Sequence, residues 1–436
     1  MRFNSIAITN MRLIGNVTKK LSFPKDKNVI ILLGDNGFGK TTVLDAMATA
    51  IAPYSMQFPG ISDFQLSEMD VHINRYGKMA DYLTVDAELE DENGTMASIR
   101  YRKGISNPPK ANYELLKKAA IHCKEAIIAG QTDIHIPIFA YYGTGRGQFE
   151  VPARKRGFAQ AYERWDCYKN ALIPATDFKR FFGWFDLMED EERRMKEKLK
   201  DWNYKSPVLN TVRNALSGFI NSFQNPRIET KPLRFVMDRI EKDGNIHELR
   251  IEQMSDGYKI VISMVADLAA RMAEANPSMP NPLIGKGIVL IDEVDLHLHP
   301  LWQRIILKQL NHTFPNIQFI VSTHSPIIVV GASNIAQIVN LSSEKEEMNN
   351  GINTGSIGQV LLSDWFGLQS LFPPEWDEKI KQRNQLLAKT TLSEAEQQQL
   401  EKLNHALSAI SYLQSPESIK ADNLIKLIAE QLKIQL

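Results

Sequence analysis

The chain is poor in cysteine, and its cysteines have no metal-binding spacing. Cys123 and Cys167 are the only two in 436 residues, so neither a disulfide framework nor a cysteine-based zinc site is indicated. Lysine and arginine together number 51, as do aspartate and glutamate, so no overall basic field attracts nucleic acid. Any contact with DNA must depend on local patches. The composition indicates reduced thiols and a cytoplasmic location.

Long hydrophobic runs are also missing. No apolar stretch approaches the ~20 residues that span a bilayer. The N-terminal segment MRFNSIAITNMRLIG alternates like a strand and lacks the hydrophobic core of a signal peptide. We therefore expect no association with a membrane. Internal repeats and low-complexity tracts are absent as well, and a chain of this length can form two or three domains around a large core.

The most informative stretch covers residues 29–50, with the sequence VIILLGDNGFGKTTVLDAMATA. A buried-strand run precedes a match to G-x-x-x-x-G-K-[ST], and an apolar helical segment follows, which is the context that this phosphate-binding motif requires. Its glycines allow successive backbone N–H groups to face an anion at a helix start. Lys40 is expected to reach the outer phosphates of ATP and Thr41 to bind Mg²⁺. The predicted nucleotide-binding residues of this stretch are Asn36, Gly37, Gly39, Lys40, Thr41 and Thr42.

A second buried strand ends in two adjacent carboxylates. In GIVLIDE, residues 287–293, Asp292 and Glu293 follow the apolar run, at the end of the strand where ligands bind in an open parallel sheet. We expect Asp292 to hold Mg²⁺ through water and Glu293 to polarise the water that attacks the γ-phosphate. The next predicted strand ends in Thr-His, so His324 can sense or orient the same phosphate. The alternative interpretation is an acidic turn and a structural histidine.

Two further features lie outside these strands. The turn Ser255-Asp256-Gly257 opens a long apolar helix and offers a hydroxyl and helix N-terminal N–H groups to another phosphate. Taken alone, it would be an ordinary N-cap. Gln65 follows the P-loop helix and is a candidate contact for Mg²⁺ or water, although an exposed loop residue is an equally good interpretation.

Four motifs together carry a family resemblance. GDNGFGKT, MSDG, VLIDEVD and STHS, in that order, resemble the Walker A, signature, Walker B with D-loop, and switch-histidine motifs of ABC-type ATPases. In that superfamily the signature of one protomer completes the P-loop site of another. The resemblance therefore implies a head-to-tail homo-oligomer with ATP and Mg²⁺ between protomers, in which Ser255 and Gly257 contact the partner's nucleotide. Asp295 would be the D-loop aspartate.

The spacing of the motifs along the chain indicates which branch of the ABC-type ATPases the chain resembles. Lys40 and Asp292 are 292 − 40 = 252 positions apart, more than a compact transporter cassette needs. At about 1.5 Å per helical residue, the interruption gives only a short arm, unlike the long coiled coils of SMC-like proteins. No paired D-x-D motif follows His324, which argues against the TOPRIM nuclease of OLD-family proteins. The chain resembles RecF-like single-chain ATPases. Asn10 and Arg12 match the Asn-Phe-Arg corner near the N-terminus of those proteins, although Met11 replaces the usual aromatic residue. That resemblance implies a contact between Arg12 and the nucleotide.

A narrower resemblance involves three longer segments. FAYYGTGR, SDGYKIVISMVADLAARMAEANP and IDEVDLHLHPLWQ resemble the ATP-binding proteins of Septu anti-phage systems, the PtuA family. This implies a partner HNH-type nuclease, with the present chain as sensor and regulator, although Met254 departs from the signature Leu-Ser-x-Gly. Two alternatives stay open. One is an autonomous RecF-like DNA repair or recombination ATPase, and the other is a regulatory clamp that binds ATP with negligible turnover.

The expected fold class is α/β, an ABC-type P-loop ATPase head with a mixed or parallel sheet, a helical insertion and a helical C-terminal tail. We expect residues 1–104 and 233–341 to form the two parts of the head. Residues 105–232 are predicted to be the mainly helical insertion, and residues 342–436 an interaction tail. Whether the insertion contacts DNA or protein stays open at this point.

Overall fold

The computed structural model describes residues 1–62, 64–147, 161–174, 178–241, 243–342, 356–363, 365–368, 370–389 and 392–407. The chain forms two compact units, Met1–Val360 and Leu361–Leu436. The strands along the described residues are β1 (Arg2–Thr9), β2 (Lys19–Ser22), β3 (Val29–Leu33), β4 (Tyr82–Asp91), β5 (Gly94–Lys103), β6 (Ile138–Tyr142), β7 (Phe223–Thr230), β8 (Leu233–Ile240), β9 (Ile246–Arg250), β10 (Gly287–Ile291), β11 (Ile317–Ser322) and β12 (Ala336–Asn340).

The helices along the same residues are α1 (Lys40–Ser55), α2 (Glu114–Ile128), α3 (Phe178–Leu199), α4 (Pro207–Phe219), α5 (Asp256–Ala275), α6 (Pro300–Thr313), α7 (Pro326–Ala332), α8 (Ile357–Leu361), α9 (Pro374–Leu387) and α10 (Glu394–Leu407). None of the helices described is long and apolar enough to cross a membrane.

A five-stranded parallel sheet forms the centre of the first unit, in the order β12-β3-β11-β10-β6. Every residue of β3, β6, β10 and β11 is buried, which explains their continuous apolar runs, because a parallel sheet is covered on both faces. All five strands point the same way, so their carboxyl ends share one edge. The phosphate-binding loop, the Asp292–Glu293 pair and His324 follow three neighbouring strands at that edge.

A four-stranded antiparallel sheet, in the order β2-β1-β4-β5, forms a second layer. Burial alternates along β4, as expected for a sheet with one face in the core. A hairpin at residues 91–94 joins β4 to β5, with Asp91 paired to Gly94. Helix α1 contacts strands of both sheets, and all its residues except Thr41 are buried. A helix packed on all sides needs no polar face, which explains its apolar sequence.

The segment 105–232, predicted to be mainly helical, contributes strands as well as helices. It supplies α2, α3 and α4, but also the edge strand β6 of the parallel sheet and the strand β7. Strands β7, β8 and β9 form a third sheet in that order. Phe235 of β8 packs edge-on against Phe181 and Phe185 of α3, with ring centroids 5.7 and 5.6 Å apart, so this sheet shares an aromatic core with the helices. The boundaries of the head and insertion stay a prediction.

The second unit contains α9 and α10, which pack against each other. A capping box begins α10, because the Ser393 N–H donates to Glu396 Oε2 at 2.9 Å and the Glu396 N–H donates to Ser393 Oγ at 3.4 Å. The polar segment 344–350 and the part of the tail after Ser415-Pro416 lie outside the described residues.

Candidate nucleotide-binding and catalytic site

The phosphate-binding loop joins β3 to α1, and glycine gives it its shape. Gly37 and Gly39 have φ angles of +90° and +85°, which other residues adopt only with strain. Gly39 precedes the first turn of α1, and no side chain caps that turn. The first N–H groups of the helix therefore face the loop, at the positive end of the helix dipole. Asn36 is exposed and Thr42 is buried.

Lys40 is buried and folded back over the same loop. Its Nζ donates to the backbone oxygens of Gly34 at 2.7 Å and Asp35 at 3.1 Å. Burial lowers the pKa of Lys40, and the nearby carboxylates of Asp292 and Glu293 oppose that shift. Both of these acceptors are neutral carbonyls, so phosphate oxygens can replace them with stronger, charge-assisted hydrogen bonds.

Thr41 and Asp292 meet at the carboxyl edge of the parallel sheet. Thr41 Oγ1 donates to Asp292 Oδ2 at 2.8 Å, and Ser322 Oγ donates to Asp292 Oδ1 at 2.5 Å. The second contact follows from strand register, because Ile291 of β10 is paired with Val321 of β11. Both oxygens of a nearly buried carboxylate are thus fixed beside the loop, in a donor set of hard oxygen atoms that suits Mg²⁺.

Glu293 lies in a strained backbone conformation. Its φ is +45°, a left-handed value that costs a non-glycine residue on the order of 1–3 kcal/mol and concentrates at functional sites. The Glu293 N–H donates to Ser322 Oγ at 2.7 Å, so one serine holds both Walker B residues. The Glu293 side chain is half-buried, and His324, two residues beyond β11, is exposed. Both can therefore face a substrate at this edge.

The turn after Glu293 is pinned by Asp295. Thr323 Oγ1 donates to Asp295 Oδ1, and the Leu298 N–H donates to the Asp295 backbone oxygen at 3.0 Å. His297 in the same turn has a φ of +62°. The structure thus brings the predicted D-loop aspartate close to the predicted switch histidine, which follows Thr323 in the chain.

Arg12 is held by two carboxylates. Its Nη1 is 2.6 Å from Asp45 Oδ2 on α1, and its Nε is 2.8 Å from Asp70 Oδ1. Burial raises the pKa of Asp45 in spite of Arg12 and of Tyr141, whose hydroxyl donates to Asp45 Oδ1 at 2.8 Å. For Asp70, burial is outweighed by hydrogen bonds from Ser67 and Arg12, so its pKa is lowered. Arg12 therefore clamps the N-terminal corner onto the P-loop helix, and its predicted contact with nucleotide stays a prediction.

The signature turn lies in a groove of its own. Ser255 precedes α5 without making a side-chain cap, and it is exposed. A groove of about 640 Å³ is lined by this turn and by residues 297–299, 301 and 302, none of which belongs to the phosphate-binding loop. A Cβ on Gly257 would lie 3.0 Å from the His297 backbone oxygen, so glycine permits the close approach of these two segments.

Gln65 is exposed in the loop after α1. With Ser55, Phe64 and Tyr168 it lines a separate cavity of about 220 Å³. Its neighbour Phe64 packs against Tyr141, with ring centroids 6.4 Å apart. The loop thus lies against the strand next to the Walker B strand, and a metal-binding role of Gln65 stays a prediction.

A known protein family matches more than half of this chain. The family model described as "AAA domain, putative AbiEii toxin, Type IV TA system" matches residues 29–330. The chain belongs to this family of ATPases. The α/β P-loop ATPase fold predicted from the sequence is confirmed.

Three relatives extend the comparison. The probable ATPase of retron Ec83 from Escherichia coli is 28% identical over 414 residues, which cover 81% of this chain and 74% of that protein. The probable ATPase of retron Vc95 from Vibrio cholerae serotype O1 biovar El Tor is 30% identical over 358 residues, 71% of this chain and 68% of that protein. Septu protein PtuA from Bacillus mycoides strain KBAB4 is 31% identical over 219 residues, 46% of this chain and 30% of that protein. The resemblance to PtuA is confirmed, and a similarity to retron ATPases is added to it.

Sequence reasoning missed several residues that hold the site together. Ser322, Thr323, Asp45, Asp70 and Tyr141 make the contacts described above, yet none was predicted as a site residue. For Ser322 and Thr323 a signal was present, because they immediately precede His324 at the end of a strand predicted to lie beside the Walker B strand. Asp70 and Tyr141 gave no such signal, because their contacts with Arg12 and Asp45 join segments that are distant in sequence.

Proposed function

We propose that this ATPase hydrolyses ATP at sites shared between two copies of the chain, and that the assembled state controls a DNA-directed effector in anti-phage defence. One observation carries the shared-site part. Lys40, Asp292 and Glu293 lie together at one sheet edge, whereas the exposed signature turn lines a separate groove. A phosphate-binding turn that lies outside the P-loop site of its own chain can instead contact the nucleotide bound by a neighbouring protomer.

The roles of the residues follow from their positions. Lys40 and the α1 N-terminus bind the β- and γ-phosphates of ATP, while Thr41 and Asp292 hold Mg²⁺. Mg²⁺ bound there would supply positive charge that neutralises the phosphate oxygens. Glu293 accepts a proton from the attacking water, and the His324 ring donates a hydrogen bond to the γ-phosphate. Ser255 and the Gly257 N–H from the partner protomer close the opposite side and exclude bulk water.

The effector is proposed to be an HNH-type nuclease, with ATP binding and turnover as the regulatory step. The similarity to PtuA over part of the chain supports this choice, and the similarity to retron ATPases supports a defence role. ATP-driven closing and opening of the dimer gives a two-state element that a bound nuclease can follow.

Mixing two inactive variants tests the shared site. Lys40→Ala removes the phosphate contact of its own site, and Ser255→Arg blocks only the site of the neighbouring protomer. Each variant alone is expected to lack phosphate release. An equal mixture forms hybrid dimers with one intact site each, and is expected to recover up to roughly a quarter of the wild-type rate. Persistent inactivity of the mixture, with both variants folded and able to form dimers, would contradict shared sites.

The regulatory part requires the partner. DNA cleavage by the co-purified nuclease complex is expected to change with ATP in the wild type and to be insensitive to ATP in Lys40→Ala. Nuclease activity that is identical in both complexes would refute control by nucleotide. Phosphate release measured with and without the partner separates an active ATPase from a clamp with negligible turnover. DNA-stimulated release without any partner would instead favour a repair ATPase.

A further inference from the structure

Two adjacent tyrosines end the strand beside the Walker B strand, and their side chains point to opposite faces of the sheet. Tyr141 and Tyr142 are both nearly inaccessible to solvent, at 1% and 2% exposure. The Tyr141 hydroxyl donates to Asp45 of the P-loop helix at 2.8 Å. The Tyr142 hydroxyl donates to Asp267 Oδ2 of α5 at 2.9 Å. Neighbouring residues of β6 thus connect the parallel sheet to two different helices.

Tyr142 also touches the Walker B aspartate through its backbone. Strands β6 and β10 are parallel, with Ile291 paired to Tyr142, and the Asp292 N–H donates to the Tyr142 backbone oxygen at 2.8 Å. A displacement of Asp292 therefore acts directly on Tyr142. The Tyr142 hydroxyl is in turn fixed to Asp267, which lies on α5 about three turns after the signature turn.

The contact at Asp267 is sensitive to small displacements. Arg271 Nε donates to the same oxygen as Tyr142, at 2.8 Å, while among the described residues Asp267 Oδ1 has no hydrogen-bond partner. A buried carboxylate depends strongly on each donor it has. Arg271 in turn donates to the backbone oxygens of Cys167 at 2.5 Å and Lys169 at 3.0 Å, so it is held in place. Burial and Asp267 raise the pKa of Tyr142, which keeps its hydroxyl a donor.

We propose that Tyr142 is a positioning residue that couples the Walker B aspartate of each protomer to its own signature helix, so that the nucleotide state of one shared site sets the signature turn offered to the other. This proposal rests on the shared sites of the proposed function. Rigid connections alone are not evidence of energetic coupling, so the test must measure the coupling itself.

Tyr142→Phe is the central variant and Tyr141→Phe is its matched control, because each removes one buried hydroxyl from the same strand end. Steady-state ATP hydrolysis is measured at a protein concentration at which dimers predominate. The wild type is expected to give a Hill coefficient approaching about 2, and Tyr142→Phe one near about 1. Tyr142→Phe should also lower kcat by about 10-fold, with ATP affinity of the isolated protomer unchanged. Tyr141→Phe, which loosens a contact of the P-loop helix, should weaken ATP binding and keep the Hill coefficient.

Asp267→Asn provides a second measurement. If Tyr142 acts through Asp267, the double variant Tyr142→Phe/Asp267→Asn loses no more kcat than Tyr142→Phe alone, because both changes break one connection. Additive losses would overturn the proposal, as would a wild-type Hill coefficient and kcat in Tyr142→Phe. If Asp267→Asn fails to fold, the comparison of the two tyrosine variants decides alone. Failure here is distinct from failure of the proposed function, since hybrid dimers of Lys40→Ala and Ser255→Arg test the shared site without altering either tyrosine.

Discussion

Two groups of polar and charged side chains are connected through Tyr142, and burial affects them differently. The first, the catalytic edge, is open toward solvent at Glu293 and His324; it consists of Lys40, Thr41, Asp292, Glu293 and His324. The second, the buried network, is closed off from solvent between α5, α3 and β6; it consists of Tyr142, Arg180, Asp267, Arg271 and Glu274. Burial lowers the pKa of Lys40 in the first group and raises the pKa of Glu274 to about 7 in the second.

The difference in burial indicates different roles: the catalytic edge is suited to reaction with a substrate, and the buried network to holding helices and strands in place. At the catalytic edge, strained backbone at Glu293 and its half-buried carboxylate keep the proposed general base within reach of a substrate. In the buried network no substrate can enter, and buried ion pairs contribute little net stability because desolvation costs offset their attraction. Charges retained there are better explained by the fixed positions they give to α5 relative to α3 and β6.

The largest effect is expected at the catalytic edge. Glu293→Gln should lower kcat by about 10²–10⁴-fold, the usual contribution of a positioned general base, while ATP binding persists. The ATP-bound dimer should then accumulate, because the step that opens it is blocked. Phosphate release gives the rate, and size-exclusion chromatography with ATP gives the oligomeric state.

Glu252→Gln is the matched control, an exposed carboxylate near the signature turn, and is expected to behave like the wild type. If Glu293→Gln leaves both ATP dwell time and oligomeric state unchanged, Glu293 is not the base.

The second effect belongs to the buried network and depends on pH. Burial raises the pKa of Glu274 from 4.5 to about 7, although Arg180 and Arg271 oppose the shift. A raised acid pKa means that the folded state binds the proton more tightly than the unfolded state does. The corresponding stabilisation is complete below pH 4.5 and is lost as the pH rises through 7, and at 1.36 kcal/mol per pKa unit it amounts to about 3 kcal/mol.

Glu274→Gln removes this titration. Between pH 5 and pH 7.5, the melting temperature of the wild type should therefore fall more steeply than that of Glu274→Gln. The lower value lies between the two pKa values of Glu274, and the upper value lies above both. Glu192→Gln is the control, because hydrogen bonds from Ser206 and Arg213 outweigh burial and lower the pKa of Glu192. Its stabilisation is lost only below pH 4.5, so its slope between the two test values should match the wild type. Equal slopes in wild type and Glu274→Gln would place the Glu274 pKa near its ordinary value.

The catalytic edge could be predicted from the sequence far better than the buried network. Each catalytic element follows a buried apolar run directly, so parallel strands bring them to one edge. Asp267, Arg271 and Glu274 have the three- and four-residue spacing of a solvated helix face, yet all three are buried. Nothing local reveals this, because the groups that cover them come from β6 and from segments around Cys167 and Arg180.

Two strands were not predicted, because their local sequence lacks the usual pattern of a strand. Strand β7 contains Pro226, a residue that argues against a strand because it cannot donate to the ladder. Strand β12 is a short edge strand with the sequence AQIVN, too brief for an alternating pattern to stand out. In both cases tertiary pairing, with β8 and with β3, determines the structure.

The smallest expected effect concerns the serine that links the two Walker B residues. Ser322→Ala removes the donor to Asp292 Oδ1 and the acceptor of the Glu293 N–H. A lost hydrogen bond to a charged group is worth about 1.5 kcal/mol, which predicts roughly a 10-fold decrease in kcat. ATP affinity should stay close to the wild-type value, because the contacts of Lys40 with the phosphate-binding loop are untouched.

Ser325→Ala supplies the comparison for Ser322→Ala. Its hydroxyl accepts hydrogen bonds at the start of α7 from the N–H groups of Ile327 and Ile328 and donates to Gln303 Oε1 at 2.7 Å. Ser325→Ala should therefore cost about 1 kcal/mol of stability as a lost N-cap without lowering kcat.

If both variants lose stability and neither loses turnover, Ser322 only supports the fold. A kcat loss confined to Ser322→Ala would mean that the position of Asp292, rather than its charge alone, limits the chemical step. Tyr142 is proposed to couple the same aspartate, through its backbone N–H, to the signature helix, so Ser322→Ala should also lower the Hill coefficient.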